Sequence, residues 1–164
     1  MNKIFVTSDP HYGHAKIIEY CNRPFSNVEE MDNSLINNWN SVVDDTDTVI
    51  VNGDFMFYKT NTGIFNRLKG KKILVKGNHD KKVVFSLGWE HVHDIYDFTY
   101  NNKHFVMCHY PIDQWNKKDR GSIHLYGHVH DEQNAKVEII PNRYNICVEK
   151  TNYFPVNLET YIGV

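Results

Sequence analysis

The segment LYGHVH, residues 125–130, places His128 and His130 one residue apart, directly after a glycine. In an extended backbone the side chains of residues i and i+2 leave the same side of the chain, so both imidazoles can reach one point in space. Imidazole is a common ligand of transition metals. A histidine is more often a surface or hydrogen-bonded core residue, however, so the pair alone does not establish a metal site.

Polar residues of similar kinds occur in four more segments, each at the end of a predicted strand. The five segments are SDPH with Asp9 and His11, NGD with Asp54, GNHD with Asn78, His79 and Asp80, CHYP with His109, and GHVH with His128 and His130. Sheets covered by helices place their chemistry in the loops at the carboxyl ends of strands. We therefore expect these side chains to meet in one site.

The elements that must position these loops can be predicted from hydrophobic patterns. KIFVTS, DTVIV and KKILV are short β-branched runs typical of buried strands. TGIFNRLKG predicts a short helix, and a longer helix starts at Ser26 or Asn27. Its apolar residues recur at helical intervals and are Val28, Met31, Leu35, Trp39 and Val42. The alternation of strands and helices predicts a parallel or mixed sheet covered by helices.

The second half of the chain is predicted to be largely β. YDFTYNNKHFVMCHYP reads as a hairpin around Asn101 and Asn102, and SIHLYGHVH, AKVEII and NRYNICVE read as further strands. No repeat, low-complexity tract or Pro-, Gly- or Ser-rich linker interrupts the sequence. We therefore predict one domain, residues 1–164, of the α/β class.

The composition restricts the function classes. The chain has 164 residues, 41% of them hydrophobic, with a formal net charge of -2, so nothing in the overall charge favours a long polyanion such as nucleic acid as partner. Three widely spaced cysteines argue against a disulfide framework. Without a signal-peptide pattern or a run of apolar residues able to span a bilayer, we expect a cytoplasmic protein without membrane contact. The oligomeric state stays open.

In order and spacing, the five segments resemble the calcineurin-like metallophosphoesterase superfamily. Its pattern runs D-x-H, G-D, G-N-H-D or G-N-H-E, a single H, and G-H-x-H, and the match spans residues 9–130. The resemblance implies an α/β/β/α sandwich of two mixed β-sheets flanked by helices, with a dinuclear metal centre. It also implies the ligands: Asp9, His11 and His130 for the first ion, Asn78, His109 and His128 for the second, and Asp54 as the bridge.

Two divalent ions about 3.5 to 4 Å apart can share a carboxylate and a hydroxide, activate that hydroxide as nucleophile and neutralise phosphate oxygens. Mixed carboxylate, amide and imidazole ligands suit manganese, iron, nickel or zinc better than magnesium or calcium, and we favour manganese. The resemblance places His79 beside the leaving group, where it can donate a proton, and Asp80 as the residue that orients His79. Asp80 could instead be a helix N-cap.

One position departs from the pattern, and three residues are weaker candidates. Many family members carry an acid where this chain has Phe57. His14 could lie near the bound phosphate or simply on a helix face, and Arg23 could grip a phosphate or be a surface arginine. Trp115, in the segment PIDQWNKKDRG, could stack on a nucleotide base or pack its loop onto the core.

We therefore predict a hydrolase of phosphate monoesters or diesters, with a nucleotide or another small molecule as substrate. A nuclease of the same superfamily is the first alternative, although the only basic cluster near the site is NKKDR, residues 116–120. A non-catalytic scaffold with a retained metallophosphoesterase fold is the second. The complete set of ligands and His79 count against the scaffold.

Overall fold

The computed structural model describes residues 2–57, 62–131 and 137–163. The strands are β1 (Ile4–Thr7), β2 (Thr48–Val51), β3 (Lys71–Val75), β4 (His91–His93), β5 (Ile95–Tyr100), β6 (Lys103–Cys108), β7 (Ile123–Tyr126), β8 (Arg143–Asn145) and β9 (Val156–Asn157). The helices are α1 (Ala15–Tyr20), α2 (Val28–Val42), α3 (Ile64–Arg67) and α4 (Lys82–Phe85), and short 3-10 helices occupy Lys118–Arg120, Val148–Lys150 and Leu158–Tyr161.

These strands form two mixed sheets. The first has the order β4-β3-β2-β1-β9 and is parallel except for β9, whereas the second has the order β5-β6-β7-β8 and is parallel except for β5. One apolar cluster joins the two sheets and includes Val6, Ile50, Phe105 and Leu125. The predicted α/β fold with two mixed sheets and helices is therefore confirmed.

A second apolar cluster joins the helices to the first sheet. Strand side chains alternate between faces, so Phe5 and Val49 belong to this cluster while their neighbours Val6 and Ile50 face the other sheet. Of the predicted apolar residues of helix α2, Met31, Leu35 and Trp39 are buried in this cluster, and Val28 and Val42 pack against it partly buried. Ile36, which was not predicted, is also buried there. Its N-terminus is capped by Asn27, whose side-chain oxygen accepts a hydrogen bond from the Glu30 backbone N–H at 2.9 Å.

Most predicted elements of the second half are present. Asn101 and Asn102 have φ of 47° and 61°, as a two-residue turn between β5 and β6 requires. The predicted strand AKVEII is wrong where it can be checked, because residues 137–140 form no strand; residues 135 and 136 lie outside the described residues. None of the helices in the described ranges is both long enough and apolar enough to cross a membrane.

Candidate metal centre

Five loops at the carboxyl ends of β1, β2, β3, β6 and β7 bring the predicted ligands together. The ligand atoms of Asp9, His11 and Asp54 lie within 4.8 Å of one another, and so do those of Asp54, His109 and His128. Asp54 therefore belongs to both groups. Its Oδ2 lies 3.6 Å from His11 Nε2 and 3.5 Å from His109 Nε2.

The remaining two predicted ligands each lie beside one member of these groups. His130 Nε2 lies 3.9 Å from Asp9 Oδ1, and Asn78 Oδ1 lies 3.0 Å from His109 Nε2. His130 thus lies beside the group that contains Asp9 and His11, and Asn78 lies beside the group that contains His109 and His128. These contacts are compatible with the two sets of ligands that the family resemblance implies.

Two buried atoms in the first group fit a cation. Asp9 Oδ1 and His11 Nε2 have no hydrogen-bond partner among the described residues, although both are shielded from water. They lie 3.7 Å apart. Ligand atoms that share one ion, each at about 2.0–2.2 Å from it, can stand up to about 4 Å apart. A buried polar atom without a partner is costly, so a metal ion between these atoms would satisfy both.

The two carboxylate oxygens of Asp9 have different contacts. Oδ2 accepts hydrogen bonds from the His128 backbone N–H at 2.9 Å, from Ser8 Oγ at 2.5 Å and from Cys147 Sγ at 3.3 Å. Oδ1 is left facing His11 and His130. The hydrogen bonds to Oδ2 therefore hold the carboxylate in the orientation in which Oδ1 is available to a metal.

The second ring nitrogens of two ligands are also fixed. His109 Nδ1 lies 2.8 Å from the Asn52 carbonyl oxygen, which can only accept, so Nδ1 carries the proton and Nε2 is free to bind a metal. His130 Nδ1 lies 3.0 Å from Glu149 Oε1 and is oriented in the same manner. A histidine held by a carboxylate or carbonyl in this way is typical of metal sites.

The electrostatic field at the site favours positive charge. Burial lowers the pKa of His109, but its hydrogen bond to Asp54 and the charges of Asp9 and Asp54 outweigh burial and raise that pKa to about 9. Burial also lowers the pKa of His130, yet Cys21, Glu149 and Asp9 together raise it to about 10. A field that stabilises a proton on these rings also stabilises a metal cation in the proton's place.

Five of the predicted ligands have a left-handed backbone. The φ angles are 57° for Asp9, 53° for His11, 52° for Asp54, 71° for His128 and 52° for His130. This conformation is uncommon for residues with a side chain, although Asp and His adopt it more readily than most. Its cost is about 1–3 kcal/mol for each residue, and such strain concentrates at functional sites.

Two glycines allow the loops to approach each other. A Cβ added at Gly77 would overlap the carboxylate and backbone nitrogen of Asp54, and one added at Gly127 would overlap Ser8 Oγ and Asp9 Oδ2. The glycines of GNHD and GHVH are therefore required by the contact between loops, not only by the turns in which they lie.

Arg23 was predicted to contact the phosphate or to lie on the surface, but the structure shows neither. Its side chain is fully buried, with Nη2 at 2.8 Å from Glu149 Oε1, and it donates to the backbone carbonyl oxygens of Asp9 and Pro10 at 2.8 Å each. These contacts leave the guanidinium unavailable to a substrate. The arginine instead supports the Asp9 loop and the carboxylate of Glu149, which in turn orients His130.

Asp80 also has a different role from both that were predicted. Its carboxylate accepts hydrogen bonds from the backbone N–H groups of Asp54, Phe55 and Gly77 at 3.0, 2.9 and 2.8 Å, so it holds two loops together. The N-cap of α4 is Lys81, not Asp80. No hydrogen bond joins Asp80 to the His79 ring in the described part of the chain. His79 is exposed, with its ring centroid 5.7 Å from that of His11.

Of the other two candidate substrate contacts, His14 lies near the predicted ligands and Trp115 is buried. The His14 ring lies beside the ligands, 5.5 Å from His11, and stacks on Phe57 with centroids 5.0 Å apart. Trp115 is only 9% exposed, and its Nε1 donates to Ser122 Oγ at 3.0 Å. Trp115 therefore packs its loop onto the core and offers no open face to a base, which removes the residue-level support for a nucleotide.

Comparison with known proteins agrees with this geometry. Residues 2–145 match the family model described as "Calcineurin-like phosphoesterase superfamily domain". An uncharacterized protein of Methanocaldococcus jannaschii is 38% identical, in an alignment that covers 99% of this chain and 90% of that protein. The chain therefore belongs to the calcineurin-like phosphoesterase superfamily, and the resemblance seen in the sequence is confirmed.

Two further relatives extend the comparison. The gene 66 protein of Mycobacterium phage L5 is 29% identical over 79% of this chain and 78% of its own length. The crystal structure of a protein of unknown function from Aquifex aeolicus has a TM-score of 0.81, with 24% sequence identity over 99% of this chain and 98% of that one. This structure supports the fold alone.

Proposed function

We propose that the protein hydrolyses a phosphate ester of a small molecule with two bound divalent metal ions. The observation that supports this most strongly is the shared carboxylate: Asp54 belongs to both ligand groups, as the bridge of a dinuclear site must. The buried, unpartnered Asp9 Oδ1 and His11 Nε2 support an ion in the first group independently.

In this proposal Asp9, His11, His130 and Asp54 hold one ion, and Asp54, Asn78, His109 and His128 hold the other. Two such ions supply Lewis-acid chemistry: they bring a water to a pKa near neutrality and neutralise charge on the phosphate. We favour manganese, with iron, nickel and zinc as alternatives, because the ligands mix carboxylates, an amide and imidazoles. The three free cysteines fit a cytoplasmic location.

In this proposal His79 donates the proton to the leaving group. Its backbone N–H donates to Asp54 Oδ1 at 2.8 Å, which ties its position to the metal ligands, while its ring is exposed and near His11. An imidazolium there can donate to the departing ester oxygen. Asp80 contributes by fixing the backbone of the loops that carry Asp54 and Gly77.

The proposal is tested by removing metal with a chelator and reloading the protein with manganese. We expect that only the reloaded protein hydrolyses nitrophenyl phosphates. The Asp54→Asn variant should lose nearly all of this activity. Asp94→Asn is the matched control, because Asp94 is 86% exposed and pairs with Lys76, and neither residue is a predicted ligand. Activity that survives both chelation and Asp54→Asn would overturn the proposal.

A further inference from the structure

Two cavities meet at the proposed metal centre. We call the first the larger chamber; it measures about 490 Å³, and its walls beyond the ligands are His14, Ile17, Tyr20, Cys21, Val129 and Asp131. We call the second the smaller chamber; it measures about 200 Å³ and is walled by His14, Met56, Phe57 and Lys81. Both chambers also touch His11 and His79.

His14 lies between the two chambers and is held in place by its neighbours. Its ring is nearly parallel to that of Phe57, at an interplanar angle of 7°, and it meets the Tyr20 ring edge-on at 6.5 Å. Phe57, His14 and Tyr20 therefore form a row of rings beside the predicted ligands.

The walls of the larger chamber suit an uncharged, planar or apolar group. Ile17 and Val129 are apolar, and Tyr20, which is 69% exposed, adds an accessible aromatic ring. Asp131 contributes an acidic side chain to the same wall.

We propose that the substrate is a small phosphodiester, with an uncharged planar or apolar substituent in the larger chamber against Tyr20 and the other ester substituent in the smaller chamber against Phe57. This inference rests on the proposed function of the same site. A phosphate held near His11 and His79 touches both chambers, and only a diester has a substituent for each. A monoester would leave one chamber without a ligand group.

The reaction then breaks a single ester bond. The oxygen of water forms a bond to phosphorus, one P–O ester bond breaks, and the departing oxygen takes up a proton, so the products are a phosphate monoester and an alcohol. The monoester retains contacts in only one chamber and therefore binds more weakly than the diester. We therefore expect the monoester product to be hydrolysed less efficiently than the diester.

The first test compares bis(4-nitrophenyl) phosphate with 4-nitrophenyl phosphate on the manganese-loaded protein. We expect kcat/KM to be higher for the diester by about 10- to 100-fold, the gain from burying one more phenyl-sized group. Similar kcat/KM values for both esters would overturn the diester inference and leave the proposed function standing. Hydrolysis of neither ester would overturn the proposed function itself.

A variant series tests the chamber. Tyr20→Ala should raise KM for bis(4-nitrophenyl) phosphate about 3- to 10-fold, because one aromatic contact is lost, while Tyr20→Phe should behave as the parent protein. Ile95→Ala is the matched control, since Ile95 is also exposed (54%) but lies on β5. An effect of Tyr20→Ala no larger than that of Ile95→Ala would contradict the assignment of the larger chamber.

Alkylation of Cys21 gives a readout that does not depend on turnover. Cys21 lines the larger chamber and is half-buried, whereas Cys108 and Cys147 are buried. Diphenyl phosphate should slow the reaction of Cys21 with N-ethylmaleimide in the manganese-loaded protein, as measured by intact mass. Phenyl phosphate and inorganic phosphate should protect Cys21 less. Equal protection by all three compounds would contradict the proposal.

Discussion

Glu149 Oε1 lies 3.0 Å from His130 Nδ1 and 2.8 Å from Arg23 Nη2, so one carboxylate links a proposed metal ligand to a buried arginine. Burial raises the pKa of Glu149, but the hydrogen bond from His130 and the charge of Arg23 outweigh burial and hold that pKa below its ordinary value. The carboxylate is therefore ionised and fixes the ring of His130 with Nε2 directed towards Asp9.

Glu149→Ala should weaken metal binding about 10- to 100-fold, the usual cost of losing the group that orients a ligand histidine. Glu149→Gln should lose less metal affinity, because the amide oxygen still accepts a hydrogen bond from His130. Manganese affinity measured by titration calorimetry checks this expectation. The exposed Glu90 provides the control Glu90→Ala. Unchanged affinity in Glu149→Ala would mean that His130 is oriented by other contacts.

Arg23→Lys should destabilise the protein by about 1–3 kcal/mol, because the lysine keeps the charge but loses hydrogen bonds that the guanidinium donates to buried acceptors. Chemical denaturation gives the free energy of unfolding. Arg120→Lys, at an exposed arginine, should have little effect. If Arg23→Lys instead has normal stability and only its KM for the substrate is raised, the result would favour a contact between Arg23 and the phosphate.

Gly127→Ala should distort the contact between the GHVH loop and Asp9, because the new methyl group overlaps Ser8 Oγ and Asp9 Oδ2. We expect a loss of about 1–3 kcal/mol in unfolding free energy together with weaker manganese binding. Gly163→Ala is the matched control, since a Cβ there has nothing within 4 Å. Full metal affinity in Gly127→Ala would show that the loops can separate without harm to the site.

His79→Ala should keep both metal ions and lose about 10²–10⁴-fold in rate on alkyl phosphates, the usual range for a general acid. The loss should be smaller on nitrophenyl phosphates, whose leaving group hardly needs a proton. Metal content and the ratio of the two rate losses are the measurements. Equal losses on both kinds of ester would indicate that His79 binds the phosphate instead of protonating the leaving group.

The strand-end positions of the proposed metal ligands could be predicted from the apolar segments that precede them, whereas their roles as ligands are implied by the resemblance to the family. Glu149 and Cys147 could not be found in this way, since they follow β8 in a segment without a motif and meet His130 and Asp9 only in the folded chain. The burial of Arg23 and Trp115 could not be predicted from the sequence either. Both residue types suit a substrate contact, but tertiary packing gives their polar atoms partners inside the protein.

The most direct test of the dinuclear site is anomalous diffraction from crystals of the protein grown with manganese. We expect two peaks about 3.5–4 Å apart, on either side of the Asp54 carboxylate, one beside Asp9, His11 and His130 and the other beside Asn78, His109 and His128. A single peak, or peaks that do not share Asp54, would contradict the account.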